Sequence, residues 1–235
     1  MLKVTKDRKV ANSVTASGNV RIANAFSLPA GKAYSCPGAT DYCESICYAG
    51  KLEKVYKGFR NSVIHNWDIL KDMTGFEMID AITPVIRDFD SQCNKWNAPK
   101  HFRIHADGDF FNDDYIMAWI HVMESFPAVQ FWVYTRNVKA AVRIHKRGIR
   151  NCSLYFSGDP QNAPVANMLH NVYGIRIAMV ANTFDEAKAL FDGTAPRCPE
   201  NNKSIPLISD KGSACERCGL CIHGRNSVLF SKTKR

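Results

Sequence analysis

Between residues 102 and 191 the chain repeats one hydrophobic pattern four times. A run rich in β-branched and aromatic residues ends in polar residues, and helical spacing follows. Phe102-Arg-Ile-His105 leads through Ala106-Asp-Gly-Asp109 to a helix over about 112–125. Val129 to Tyr134 leads through Thr135-Arg-Asn137 to a helix over about 138–146. Cys152 to Phe156 leads through Ser157-Gly-Asp-Pro160 to a helical stretch ending near 171. Gly174 to Val180 leads through Ala181-Asn182 to a helix over 184–191. Strands alternating with helices of this length predict βαβ units and a parallel sheet.

Upstream, Asn19 to Asn24 or a nearby segment is expected to supply a first strand. Long helices are expected over about 51–71 and 76–93, separated by Gly75, with Pro84 placed where it can kink the second. Five to six βα units make a partial (βα)5–6 barrel or an open doubly wound sheet. We take the partial barrel, over residues 1–192, as the expected α/β fold. After Phe191 the periodicity stops, so residues 193–235 are expected to be a cysteine-rich, irregular segment packed on the barrel.

Composition changes this picture in two ways. The formal charge is +9. A basic balance favours a polyanionic partner, nucleic acid first, helped by Phe59, Trp67, Trp96, Phe110 and Phe111 and a short basic tail, Ser231 to Arg235. Nine cysteines without a secretory signal argue for metal ligation over disulfides. The absence of a signal peptide and of long apolar runs predicts a cytoplasmic protein with no membrane partner. Oligomeric state is not legible.

The cysteines cluster. Cys215-Glu-Arg-Cys218-Gly-Leu-Cys221 is a C-x2-C-x2-C run, with Cys198-Pro199 as a fourth thiolate. That arrangement resembles the cluster runs of ferredoxins and points to a [4Fe–4S] cluster, with zinc as the alternative metal. Cys36, Cys43 and Cys47 form a second set that can hold a cubane with one iron left open. Zinc completed by other residues is again the alternative, as is one site shared among the seven. Cys93 and Cys152 read as small buried hydrophobes.

Ligands in parallel α/β folds bind at the carboxyl ends of the strands. There the sequence places His105, Asp107, Gly108 and Asp109, then Tyr134, Thr135 and Arg136, then Ser157 and Asp159 with Gly158, then Asn182. These are the candidate cofactor-binding residues. Asn112, Asp113 and Asp159 also suit helix caps.

From about Ser27 to Cys221 the chain resembles the bacteriophage gene product 88 family. The resemblance rests on Ser27-Leu-Pro-Ala30, Ser35-Cys-Pro-Gly38, Cys47-Tyr-Ala49, Arg103 to Phe110, Tyr134-Thr135 and Ser157-Gly-Asp159. It implies a phage origin and hence a host cytoplasm. More loosely, the layout resembles the radical S-adenosylmethionine (SAM) superfamily. That implies an open [4Fe–4S] cluster on Cys36, Cys43 and Cys47 that binds SAM, with Asp107 to Asp109 at its amine and Tyr134 to Arg136 lining the pocket. It also implies an auxiliary cluster on Cys198, Cys215, Cys218 and Cys221, and an electron donor as partner. The spacing here is C-x6-C-x3-C, where that superfamily usually has C-x3-C-x2-C, and Ile46 stands where an aromatic normally precedes the last cysteine. The competing expectation is a non-catalytic nucleic-acid-binding protein with a structural iron–sulfur or zinc site.

Overall fold

The computed structural model describes residues 1–10, 22–209 and 212–232. Residues 19–21 of the expected first strand and 233–235 of the basic tail lie outside them. The first strand, β1, runs Ala25–Ser27, one residue beyond the expected segment. The next four follow the hydrophobic pattern: β2 His101–Asp107, β3 Gln130–Thr135, β4 Cys152–Gly158 and β5 Arg176–Ala181. Helices α5 (Asp113–Ser125), α6 (Val138–Arg147), α7 (Ala163–Tyr173) and α8 (Phe184–Leu190) connect them or come after the last.

Upstream the helices differ from expectation. The cysteine loop contains a short helix, α1 (Asp41–Ile46), and the single helix expected over 51–71 is two, α2 (Tyr48–Val55) and α3 (Lys57–Leu70), broken at the extended residue Tyr56. Helix α4 (Gly75–Lys95) runs unbroken through Pro84 and starts on a capping box between Thr74 and Glu77.

The segment after residue 192 is not only irregular. It forms a two-stranded ladder, β6 (Ile208–Ser209) with β7 (Gly212–Ser213), and a short helix, α9 (Ala214–Cys218). It then returns to the sheet as β8 (Val228–Ser231). The six-stranded sheet is parallel throughout, in the order β1-β2-β3-β4-β5-β8. The order follows the chain without reversal, so there is no doubly wound switch point. Among the described residues the sheet ends at β1 and β8, and no strand pairing joins these two edges.

Right-handed crossovers between sequential neighbours place the connecting helices on one face. Phe102, Ile104, Phe131, Val133 and Leu154 point into a core with Ile86, Phe89, Trp119 and Ile144. Ile177 and Met179 do the same with Ala166 and Leu169. Each such buried side chain contributes roughly 1.5–3 kcal/mol. The alternate residues face the other way. There Trp132 packs on Val10 and Ile222, and Tyr155 and Ala178 pack with Val228, Leu220 and Cys221. The cysteine-bearing C-terminal segment therefore covers the face of the sheet that the connecting helices leave open. Of the two cysteines read as buried hydrophobes, Cys93 is fully buried and Cys152 is partly buried against the main core.

Candidate metal centres

The C-terminal cysteines meet on the face that the connecting helices leave open. Helix α9 carries Cys215 and Cys218 one turn apart. Gly219 ends it in the left-handed conformation, with its amide on the Cys215 carbonyl at 2.8 Å, and so turns the chain back to bring in Cys221. Cys198 is held against β8 by its amide, which donates to the Leu229 carbonyl at 2.9 Å. All four cysteines line one small, open pocket together with Pro199, Leu220 and Val228. Burial raises the Cys221 thiol to about 12 and raises Cys198 and Cys215 as well.

The surroundings supply positive charge and donors. Arg103 lies under the Trp132 and Tyr134 rings, at 6.0 and 5.6 Å from their centroids, and pairs with Asp7 at 2.6 Å. It lies close enough to Cys215 and Cys221 to favour their thiolates. Lys9 reaches Glu200 on the cavity wall at 2.8 Å. Among the described residues, the Arg103 Nε and Trp132 Nε1 protons are buried on this face without acceptors. The Tyr134 hydroxyl lies against Cys221, so Tyr134 belongs to this set and not to the strand-end pocket expected for it. Among the described residues, no three His, Cys, Asp or Glu side chains stand close enough together to hold a single metal ion.

The N-terminal cysteines sit at the carboxyl ends of the strands. Thr40 caps α1, accepting from the Cys43 amide at 2.9 Å and donating to Asp159 at 2.6 Å. The Cys47 sulfur accepts from the Gly50 amide at 3.3 Å. The Cys36 loop is pressed on the end of β3, where a Cβ on Gly38 would stand 2.6 Å from the Arg136 carbonyl oxygen. Burial, then Asp109, raises the Cys36 thiol. Burial raises Cys43 to about 11, against the pull of Arg136, and burial also raises Cys47.

The expected strand-end residues divide by role. Asp109 spends both oxygens internally, accepting from Thr135 Oγ1 at 2.5 Å and from the Phe110 and Arg136 amides at 2.7 Å. Asp159 accepts from Thr40, the Arg136 guanidinium and the amides of Gln161 and Asn162. Asp109, Thr135, Arg136 and Asp159 thus form a buried frame that fixes the loops around Cys36 and Cys43. Gly108, at φ +86°, passes so close to Leu28 and Ser35 that no side chain fits. Ser157 gives its carbonyl to Asn162, and Asn182 accepts weakly from the Tyr42 hydroxyl at 3.4 Å.

Asp107 is different. Its Oδ1 accepts from Gly108, while its buried Oδ2 meets no geometrically formed hydrogen bond among the described residues. Burial and the adjoining Glu53 carboxyl push it well above the usual carboxylate range. His105 turns away from the strand-end pocket. Its φ of +61° swings it into the aromatic core against Phe110, Tyr115 and Trp119.

Sequence reasoning missed Arg103, Tyr48, Thr40 and Glu53. Arg103 had a signal, since it lies on the face that the connecting helices leave open, in a strand whose flanking residues are apolar. The Tyr48 hydroxyl donates to the Ala106 carbonyl at 2.9 Å and accepts from Arg103 at 3.1 Å, so these two residues lie between the cysteine sets.

Comparison with known proteins fixes the relationship. The family model for Gene product 88 matches residues 1–224. The chain belongs to that family. It is 51% identical to the Gene 88 protein of Mycobacterium phage L5, covering all of this chain and 99% of that protein. It is 52% identical to the Gene 88 protein of Mycobacterium phage D29, with the same coverage. The phage origin implied by the resemblance is supported by these relatives, whereas none of these matches carries the radical SAM resemblance. No solved structure matches. Among the described residues, no helix is long and apolar enough to cross a membrane.

Proposed function

We propose that this Gene product 88 family member is an iron–sulfur protein with two cysteine centres. Cys198, Cys215, Cys218 and Cys221 would hold a [4Fe–4S] cluster under the C-terminal segment. The observation that carries this reading is the convergence of these four thiols on one cavity above buried, unpaired donors at Arg103 and Trp132. A cluster with four thiolates is anionic, and N–H donors and a guanidinium beside it offset that charge. A cubane also spreads its thiolates more widely than one tetrahedral zinc ion, which suits four cysteines that share a cavity without crowding together.

Cys36, Cys43 and Cys47 would hold the second centre, with radical-SAM-like chemistry on an unidentified substrate as the reaction to test. When bound there, a [4Fe–4S] cluster supplies one electron to a sulfonium substrate. The residues around it bind and exclude. Asp107 offers a buried carboxyl beside that of Glu53, and the Asp109–Arg136–Asp159 frame keeps the loops closed. An external one-electron donor is required.

The test is anaerobic purification with iron, sulfide and zinc analysis. A brown protein with a broad band near 400 nm is expected, and C215S/C218S is expected to lose about half of the iron. Colourless, zinc-loaded protein would overturn the reading. Reduced protein incubated with SAM is expected to release 5′-deoxyadenosine, and C43S is expected to abolish that release while keeping the C-terminal cluster.

A further inference from the structure

Helix α2 presents two chemistries. Toward the site it sends Glu53, whose Oε1 accepts from the Ala30 amide at 2.8 Å, and Cys47 precedes it. Toward solvent it sends Lys51 and Lys54, and the chain continues through Tyr56 to Lys57 and Arg60 on α3. These four cations fall within ten residues whose one acidic residue, Glu53, is turned inward. Among the described residues none of the four has an ion-pair partner. By contrast, Lys139 and Arg143 are paired with Asp113, and Arg147 with Glu124.

Two large apolar side chains stand exposed among the cations, Val55 at 63% and Tyr56 at 58%. Cations this close lie within or near one screening length and act together on an approaching polyanion. An exposed phenol ring between them is a stacking platform. The face also has a direction. Tyr48, Lys51 and Val55 are spaced i, i+3, i+7 and share one side of α2. Tyr48 is bonded to the Ala106 carbonyl at the carboxyl end of β2. The cationic strip therefore starts at the mouth of the N-terminal cysteine pocket and leads away from it.

We propose that the α2–α3 corner binds single-stranded nucleic acid, with phosphates on Lys51, Lys54, Lys57 and Arg60 and a base stacked on Tyr56. The bound strand runs toward the N-terminal cysteines. An anionic membrane fits less well. The helices are anchored by buried Ala49, Val63 and Leu70, and only a narrow apolar edge is left to insert. This inference does not depend on the presence of a cluster.

The test is fluorescence anisotropy with labelled single-stranded 20-mers of DNA and RNA, using the full chain across a salt series. Four phosphate contacts predict a slope of log K against log salt of about −3, and K54Q/K57Q is expected to reduce its magnitude by about 1.4. Y56A is expected to weaken binding about tenfold with the slope unchanged. These side chains are exposed, so thermal melts of the variants should match the parent. K188Q/K203Q removes the same charge elsewhere and is expected to bind like the parent. The proposal is overturned by no binding at low salt, by equal losses in K188Q/K203Q and K54Q/K57Q, or by binding only to phosphatidylserine vesicles.

Discussion

A single residue, His105, carries a measurable pH signature. It is 3% exposed, its Nε2 pairs with the Tyr115 hydroxyl at 2.9 Å, and its Nδ1 has no partner among the described residues. Burial, then Arg103, pushes it down to about 3. The folded state therefore refuses a proton that the unfolded chain accepts near 6.5. Stability from this group is complete above that value and is lost as pH falls from 6.5 toward 3, the loss reaching about 2 kcal/mol at pH 5. His105→Asn tolerates a positive φ and removes the titration. It is expected to lower stability at neutral pH through lost packing, while flattening the decline in melting temperature between pH 6.5 and 5. Parallel declines in both proteins would contradict the assignment. Its place at the carboxyl end of a strand put His105 in the expected site. Its left-handed backbone sends it to the other face, and no neighbouring residue type announces that.

The element that shapes the site is the end of β2. Ala25 pairs with Arg103 but Ser27 pairs with Asp107, so two steps of β1 oppose four of β2. This bulge includes His105 and re-aims the last residues of the strand, which brings Asp107 beside Cys47 and Glu53. Gly108 completes the turn under tight contact, since a Cβ there would lie 2.6 Å from Ser35 Oγ and 2.7 Å from Leu28 Cβ, at φ +86°. Gly108→Ala is expected to cost more than about 2 kcal/mol, adding backbone strain to overpacking. Gly58, in the first turn of α3, is open by comparison, and a methyl group added there would have nothing within 4 Å. Gly58→Ala is expected to be neutral or to stabilise by up to about 1 kcal/mol. Thermal melts of the two variants check this, and similar melting points would refute the contact argument. The sequence showed β2 through β5 because each is an apolar run of six or seven residues with a helix after it. It hid β8, which is four residues long, comes after a loop and has no helix after it to mark the period. It also hid the break at Tyr56, because helical spacing continues on both sides of one extended residue.

At the scale of the whole molecule, the C-terminal segment fills the face that the helices leave open, and the question is what keeps it there. Beyond the β8 ladder and the apolar packing of Leu220 and Ile222, a few polar contacts tie it. Ser153 Oγ and Gln130 Nε2 donate to the Ile222 carbonyl at 2.8 and 3.0 Å, Tyr155 donates to Leu220 at 3.2 Å, and His101 pairs with Glu216 at 2.8 Å. Net values near 1 kcal/mol each make this a modest total. Structural zinc in small finger peptides contributes roughly 10–16 kcal/mol, which sets the scale for ligation by several cysteines. If the proposed cluster is present, it dominates. Removing the metal should then loosen residues 198–225 while the helix-covered core stays folded. Limited proteolysis is expected to cut between 200 and 212 in the metal-free protein and not in the loaded one. Trp132, now 1% exposed, is expected to shift its emission to the red, a change absent in W132F. Identical digestion with and without metal would mean that packing, not ligation, holds the segment. The four cysteines would then be small buried hydrophobes lining a gap, and Arg103 and Trp132 would keep their unpaired protons at a cost that nothing nearby offsets.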